Sequence, residues 1–472
     1  MDSGFTSDLS AHGYVKHHPA PSRCTAEALR RTEPAAPMTA PLPEPRSRSL
    51  RLPGLAVTDR TFTVPLDHHD PARGTIEVFA REVADPAKTG QDLPWLLYLQ
   101  GGPGGKSPRP TAGNPSWLRR ALRTHRVLLL DQRGTGRSTP ITGRTAARFP
   151  SAAALAEHLG CFRADSIVAD AELIRQQLTG GRPWETLGQS YGGFLTLTYL
   201  SQAPEGLDAC YVTGGLAGLE ATAEQVYRAT APRVQAKNAA FAARYPDDQE
   251  TLRRLARQLA KEPARLPDGD LLTVRRLRFL GLELGMGAGF ERLHWLLDEA
   301  LDADGAPTDV FLNEVAQLTG LVANPLFGVL HESIYGQPGS GPTAWAAQRV
   351  LDSLPQFAED ADPLLLTGEM ILPWMFQDVA ALRPFADAAE LLAERADWPA
   401  LYDRARLAAN QVPVAAAVYF DDMYVDAQLS LRTAAEVGSV RAWVTNEWEH
   451  DGVRVDGERV LGRLMDMVAG QL

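Results

Sequence analysis

The sequence predicts an α/β protein in which a mostly parallel sheet is flanked by helices and interrupted by a helical cap. Short apolar runs that are typical of buried strands occur at 95–99, 127–130, 184–187 and 209–212. A helical stripe at 165–178 lies between two of these runs, and such alternation indicates a parallel sheet covered by helices. The pattern then becomes helical, and strand signals return only at 412–420 and 440–444.

This pattern divides the chain into four predicted segments. They are a mobile tail at 1–50, the first part of the core at 51–215, the helical cap at 216–410 and the completion of the core at 411–472. The tail is rich in Pro, Ala, Ser and Arg and shows no sustained periodicity. Within the core we expect paired strands at 62–65 and 75–82 and a final helix at 458–469. In the cap, the arginine-rich pattern at 252–266 predicts an amphipathic helix.

Composition restricts the possible partners. The 472-residue chain has a net charge of −11, which argues against nucleic acid or an anionic membrane as the main partner and is consistent with a cationic substrate. Its three cysteines, Cys24, Cys161 and Cys210, form no disulfide or zinc pattern, so we expect reduced thiols, no metal and a cytoplasmic location. No apolar stretch reaches the length of a membrane span, and the N-terminus lacks the apolar core of a secretory signal. The oligomeric state is left open.

Three glycine-containing motifs follow predicted strands. They are Gln-Gly-Gly-Pro-Gly-Gly at 100–105, Asp-Gln-Arg-Gly-Thr-Gly-Arg-Ser at 131–138 and Gly-Gln-Ser-Tyr-Gly at 188–192. The third predicts a nucleophile elbow, in which Ser190 occupies a strained turn between strand and helix. In the second motif, Arg133 and Asp131 are predicted to join loops through charge-assisted hydrogen bonds, and direct substrate binding by Arg133 is the alternative. Ligands of such sheets bind at the carboxyl ends of the strands, where all three motifs lie.

A serine nucleophile needs a base, and the base needs a carboxylate that orients it. In hydrolases of this architecture the chain order is serine, acid, histidine. His450 follows the strand at 440–444 and is the only histidine beyond His331. The strand at 412–420 ends directly in Asp421 and Asp422, of which we favour Asp422 as the partner of His450.

The oxyanion hole is expected to consist of backbone N–H groups. Tyr191 provides one as the residue after the nucleophile, and Gly102 provides the other from the glycine loop. No organic cofactor or metal is required, because serine, histidine and aspartate suffice for acyl transfer. The sequence therefore predicts a serine hydrolase.

Together these motifs and the C-terminal Glu-His-Asp-Gly resemble the proline iminopeptidases, which are serine peptidases with the α/β-hydrolase fold. The resemblance covers about 50–472 and is greatest to longer members with an enlarged cap. It implies release of N-terminal proline from short peptides, with other small residues left open, and it supports Asp422 because Asp-Met is the family pattern. Gln100 departs from the histidine that many α/β-hydrolases have before the glycine loop.

The resemblance also implies a site for the free α-amino group of the substrate in the cap. The run 331–335 offers Glu332 and Tyr335 for this site. The runs 367–370 and 373–376 offer Glu369 together with an apolar wall of Trp374 and Phe376. Paired carboxylates bind an ammonium ion and would fix cleavage one residue from the terminus. The alternative is that both glutamates are ordinary surface acids.

Two other functions are left open by the sequence. The first is an esterase or amidase of a different substrate class, because the fold does not determine the substrate. The second is a binding protein that resembles a hydrolase but does not catalyse. Such a protein would typically lack one of the three catalytic side chains, whereas candidates for all three stand here in the expected order.

Overall fold

The computed structural model describes residues 44–111 and 113–471, and these belong to one compact unit. Its strands are β1 (Arg46–Leu52), β2 (Leu55–Pro65), β3 (Thr75–Ala84), β4 (Trp95–Leu99), β5 (Arg126–Leu130), β6 (Trp184–Gln189), β7 (Leu207–Thr213), β8 (Ala264–Arg265), β9 (Leu271–Leu272), β10 (Val414–Tyr419) and β11 (Val440–Thr445). Within the described ranges, nine of them form one sheet in the order β1-β2-β3-β5-β4-β6-β7-β10-β11. The strands from β5 to β11 in that order are parallel, and β1, β2 and β3 extend the sheet antiparallel.

The helices fall into three groups along the chain. Before the cap are α1 (Ser116–Ala121), α2 (Gly143–Ala146), α3 (Ala152–Gly160), α4 (Ala164–Thr179) and α5 (Tyr191–Gln202). Between β7 and β10 are α6 (Ala223–Arg244), α7 (Pro246–Lys261), α8 (Val274–Arg278), α9 (Gly289–Asp298), α10 (Asp309–Thr319), α11 (Pro325–Leu330), α12 (Ala346–Asp352), α13 (Met375–Asp378), α14 (Ala386–Glu394) and α15 (Arg404–Ala408). After β10 come α16 (Ala427–Glu436), α17 (Gly452–Val455) and α18 (Gly457–Val468).

Both faces of the sheet are covered, which explains why its central strands are uninterrupted apolar runs. Alternate residues of β4 belong to two different cores: Leu97 and Leu99 pack on the α4 and α5 side, whereas Leu96 and Tyr98 pack on the α1 and α18 side. Strands buried on both faces show this continuous apolar pattern. The predicted α/β fold with a mostly parallel sheet is confirmed.

Two sequence predictions about elements are corrected. The predicted tail extends to residue 50, but β1 already begins at Arg46 and pairs antiparallel with β2; residues 1–43 lie outside the described ranges. The helix expected at 252–266 is part of α7, which ends at Lys261, and the chain then forms the short β8–β9 ribbon. That ribbon turns at Gly269, a local feature that the helical periodicity does not reveal.

The helical segment between β7 and β10 packs around an apolar core formed by residues of α6 to α14 together with residues of α2 and α3. It begins with a capping box, in which Thr222 and Gln225 satisfy the first N–H groups of α6. We call this segment the cap; the boundaries predicted for it, 216 and 410, stay a prediction. No helix in the described ranges is long and apolar enough to cross a membrane.

Candidate active site

Ser190 lies in the turn that joins β6 to α5. Its φ of 55° is in the left-handed region, which costs energy for a residue with a side chain. The turn is tight enough that a Cβ on Gly188 would collide with the carbonyl oxygen of Gly192, and a Cβ on Gly192 with that of Leu99. Glycine is therefore required on both sides of the serine, and the turn presents Ser190 at the carboxyl end of the sheet.

The glycine loop after β4 lies directly against this serine. A Cβ on Gly101 would lie 2.9 Å from the Cβ of Ser190, and Gly102 follows with a φ of 145°. Tyr191 is the first residue of α5, so its N–H is one of the unpaired N–H groups of the helix N-terminus. Both groups predicted for an oxyanion hole thus belong to segments that flank Ser190.

His450 and Asp422 form a buried pair. His450 Nδ1 lies 2.6 Å from Asp422 Oδ2. The other carboxylate oxygen, Oδ1, accepts hydrogen bonds from the backbone N–H groups of Tyr424 at 2.8 Å and Val425 at 3.0 Å. Burial alone would lower the pKa of His450, but Asp422, with a contribution from Glu369, raises it above the ordinary value. The imidazole is thereby held in one orientation and its basicity is increased.

Asp421, the neighbouring carboxylate, has a different environment. Its side chain is 46% exposed and lies 3.3 Å from the guanidinium of Arg233 on α6. Of the two acids that follow β10, Asp422 is therefore the one that contacts the histidine.

The pair of His450 and Asp422 lies beside the turn that carries Ser190. The backbone N–H of Ser190 donates to Thr213 at the end of β7, and a Cβ on the next residue, Gly214, would lie 3.1 Å from His450 Nδ1 and 3.3 Å from Asp422 Oδ2. Gln189, immediately before the serine, approaches His450 Nε2 to 3.5 Å with its side-chain amide. Gln189 was not among the predicted site residues, although it occupies one of the variable positions of the elbow motif. The pair of His450 and Asp422 thus lies beside the turn that carries Ser190.

Glu332 is buried in the cap and bound to the start of a helix. Its two carboxylate oxygens accept hydrogen bonds from the backbone N–H groups of Ala346 at 3.1 Å and Ala347 at 2.8 Å, the first two residues of α12. The helix N-terminus favours the charged form of the carboxylate, but burial dominates and raises the pKa of Glu332. Glu332 is therefore not an ordinary surface acid.

Glu369 is half-buried and lies close enough to His450 and Asp422 for their charges to act on it. Burial raises its pKa to about 8, while the charges of His450 and Asp422 act on it in opposite directions. Its neighbour Gly368 approaches Val234 of α6 and Met423, the residue after Asp422. Within residues 44–111 and 113–471, no N–H or O–H group donates to its carboxylate. Glu369 thus presents an unpaired carboxyl group beside His450.

Two tyrosines lie near enough to both glutamates for the carboxylate charges to act on their hydroxyls. Tyr335 has its ring 6.0 Å from that of Phe194 on α5, and the charges of Glu369 and Glu332 act on its hydroxyl. Tyr227 on α6 is 2% exposed and feels the same two carboxylates, and its hydroxyl has no partner among the described residues. Tyr227 was not among the predicted site residues, because a tyrosine on an apolar helix face is most simply a core residue.

Trp374 and Phe376, which were predicted to form an apolar wall, contact other side chains of the cap. The Phe376 ring packs 5.4 Å from Trp345, and the Arg275 guanidinium lies 5.1 Å from the Trp374 ring. Trp345 directly precedes Ala346, so Phe376 supports the helix start that binds Glu332. The contacts described for these two aromatic side chains are within the cap.

The middle glycine motif is structural. Arg133 is fully buried, and its Nε lies 2.7 Å from Asp170 Oδ2 on α4, while its other N–H groups donate to the carbonyls of Leu66 and Cys161. Asp131 instead binds Arg109, with an Oδ2–Nη2 distance of 2.6 Å. All donors of Arg133 point into the protein, so the alternative of direct substrate binding is wrong.

The chain is similar to proteins of known families. A family model described as alpha/beta hydrolase fold matches residues 94–295. The chain is 48% identical over 416 residues to a proline iminopeptidase of Aeromonas sobria, covering 88% of this chain and 97% of that protein. It is 35% identical over 421 residues to a proline iminopeptidase of Aspergillus aculeatus, covering 85% of this chain and 91% of that protein. The crystal structure of a Mycobacterium smegmatis proline iminopeptidase covers 90% of this chain and 98% of its own, at 13% identity and a TM-score of 0.39.

Proposed function

The chain belongs to the proline iminopeptidase family, and from this premise we propose that Ser190, His450 and Asp422 are the catalytic triad of its reaction. The enzyme is a serine aminopeptidase that releases N-terminal proline from peptides. The proposal is supported by the 2.6 Å contact between His450 and Asp422 beside the serine turn. Asp422 holds the Nδ1 proton of His450, so that Nε2 is free to accept a proton.

The reaction follows from these positions. His450 takes the proton of Ser190 as the hydroxyl oxygen attacks the carbonyl carbon of the N-terminal proline. Negative charge develops on the carbonyl oxygen, and we propose that the N–H groups of Gly102 and Tyr191 stabilise it. His450 then protonates the leaving amine, and the acyl-enzyme forms. Water activated by His450 attacks the ester, and proline is released.

We propose that Glu332 and Glu369 bind the ammonium group of the substrate. An N-terminal proline is a secondary ammonium with two N–H donors, and each carboxylate retains lone pairs to accept one of them. Tyr335 and the unpartnered hydroxyl of Tyr227 complete this end of the site. For Trp374 and Phe376 we propose an indirect role, as packing that supports the segments of the two glutamates.

The position of Glu369 is the observation that carries this assignment. It is an unpaired carboxyl group close enough to His450 and Asp422 for their charges to act on its pKa. Anchoring the terminal ammonium there brings the first carbonyl of the peptide, and no later one, to Ser190. A general esterase has no use for such a group, so the esterase alternative is not favoured.

Hydrolysis of a proline arylamide tests the proposal. We expect cleavage when the proline nitrogen is free, no cleavage of the N-acetylated twin, slower cleavage of an alanine arylamide, and no activity in Ser190→Ala. Equal cleavage of the free and acetylated compounds would contradict the ammonium site. Cleavage of an aryl ester alone would indicate the esterase alternative. Failure of an active-site phosphonate to label Ser190 would indicate a non-catalytic binding protein.

Partners and location complete the proposal. We propose short peptides with a free N-terminal proline as substrates and assign no nucleic-acid or membrane partner, in keeping with the net charge of −11. A cytoplasmic location is supported by Cys161 and Cys210, which are both free thiols. Activity recovered in the cytosolic fraction of the source cells would test the location.

A further inference from the structure

The loop that carries the histidine is bound to the cap at three consecutive residues. Glu449 pairs with Lys237 of α6 through its Oε1. The backbone N–H of His450 donates to the Gly285 carbonyl at 3.2 Å. Asp451 accepts a hydrogen bond from the backbone N–H of Gly287 at 2.8 Å. The base is therefore positioned from the cap as well as from Asp422.

Lys237 is the only side-chain cation among these three cap contacts. Its side chain is 12% exposed and that of Glu449 is 30% exposed, so water screens the pair poorly. The second oxygen of Glu449 is buried and has no partner among the described residues. Burial raises the pKa of Glu449, and Lys237 opposes that effect. Lys237 therefore stabilises the charged carboxylate next to His450.

A second ion pair on the same helix provides an internal comparison. Arg233 lies one turn before Lys237 on α6 and pairs with Asp421 at 3.3 Å. Its side chain is 28% exposed and that of Asp421 is 46% exposed, so this pair is much better screened. Arg233 thus contacts the residue before Asp422, and Lys237 contacts the residue before His450. The first pair is the more exposed of the two.

We propose that Lys237 is a positioning residue for catalysis, which acts on His450 through Glu449 and makes the docked cap part of the catalytic apparatus. The inference rests on the proposed triad, but not on the ammonium site. Its effect is on the transition state, because the orientation of the imidazole changes while the groups that bind the substrate ammonium stay in place. It therefore appears in kcat and not in KM.

The Lys237–Glu449 pair is expected to affect the pH dependence of kcat/KM, because it lies next to His450. Asp422, Glu369 and Arg454 act on the imidazole, Tyr424 packs edge-on against it, and Asp421 and Asp422 also act on Glu449. Lys237→Met leaves the Glu449 charge uncompensated, so we expect the acid limb of kcat/KM to move to higher pH. Glu449→Gln removes the carboxylate and leaves the cation, so the limb should move to lower pH. A purely structural defect does not produce opposite shifts.

The experiment compares the wild type, Lys237→Met, Lys237→Arg, Glu449→Gln and Arg233→Met on a proline arylamide. We expect kcat to fall at least tenfold in Lys237→Met with KM within threefold, recovery in Lys237→Arg, and a change below twofold in Arg233→Met. Thermal melting identifies a variant that fails to fold. If Lys237→Met fails to fold, the near-isosteric Glu449→Gln decides whether the Lys237–Glu449 pair acts on His450.

Equal kcat values and unshifted acid limbs in Lys237→Met and Arg233→Met would overturn the inference. If the wild type cleaves only an aryl ester, the proposed function fails. The Lys237 comparison can then be made on that ester, since it does not depend on the amine.

Discussion

Asp422 and Asp421 are adjacent in the chain, yet Asp422 is buried against His450 while Asp421 is exposed beside Arg233. The tight turn after β10 causes this difference, because two N–H groups of the following backbone hold the Asp422 carboxylate in place. Two adjacent and chemically identical side chains therefore have different roles, because the backbone turn places them in different environments.

Substituting each aspartate in turn tests this difference. We expect Asp422→Asn to lower kcat by about 10⁴-fold, because the amide no longer favours the required tautomer of His450. Asp421→Asn should change kcat less than about threefold, since an exposed ion pair contributes little. Steady-state kinetics on a proline arylamide would measure both. Similar losses in the two variants would contradict the assignment of Asp422.

The proposed ammonium site predicts that removing the charge of Glu369 lowers kcat/KM for substrates with a free amine. Glu369→Gln removes a carboxylate that no donor within the described ranges occupies, so we expect kcat/KM for a free proline arylamide to fall about 10- to 100-fold, mainly through KM. An aryl ester without an amine should lose little. Glu394→Gln, which removes an exposed carboxylate elsewhere on the cap at the end of α14, serves as a matched control and should leave KM unchanged.

The pH profile should show the titration of Glu369. Its carboxyl group binds a cation only when ionised, and burial raises its pKa to about 8. We therefore expect kcat/KM for the free proline substrate to keep rising through about pH 8. In Glu369→Gln this upper part of the rise should disappear. A wild-type profile that is already flat from pH 7 would contradict the prediction.

The contact between the glycine loop and the serine predicts a steric effect. In Gly101→Ala the new methyl group would lie 2.9 Å from the Cβ of Ser190 and 2.7 Å from the Gln189 side chain. We expect kcat to fall roughly 100-fold, because small displacements at a reacting centre are costly. Gly90→Ala is the matched control, since its methyl group meets nothing within 4 Å. Equal activities of the two variants would exclude a close contact.

The buried pair of Arg133 and Asp170 predicts a loss of stability. Removing one partner leaves an uncompensated charge in the core, so Arg133→Met should lower the free energy of unfolding by about 3–5 kcal/mol. Burial would raise the pKa of Asp170, but Arg133 and His68 lower it below 3.8. The stabilisation is therefore complete above that value and is lost as the pH falls through the lowered pKa. Urea unfolding at pH 7 and pH 3 would measure the difference, which should shrink at the lower pH.

Much of this fold was predictable because its signals are local. Uninterrupted apolar runs mark the parallel strands, and the elbow glycines mark the turn at Ser190. The positions of Asp422 and His450 followed from chain order at the ends of two strands. Each of these inferences uses a short stretch of sequence whose geometry is nearly independent of its surroundings.

Other features depend on long-range packing and are not visible in the sequence. The N–H groups bound to Glu332 come from a helix that begins only after a loop with left-handed residues at Ala344 and Trp345. The partner of Glu449 is Lys237, far earlier in the chain. Trp374 suits an apolar pocket by its composition, but in the folded protein its ring lies beside Arg275. In each case a tertiary neighbour decides the environment.

The placement of β10 and β11 at the end of the chain has a consequence for biosynthesis. A ribosome makes Ser190 and the entire cap before it makes Asp422 and His450, which follow these last two strands. A nascent chain therefore carries the nucleophile without its base until both of these strands have been made.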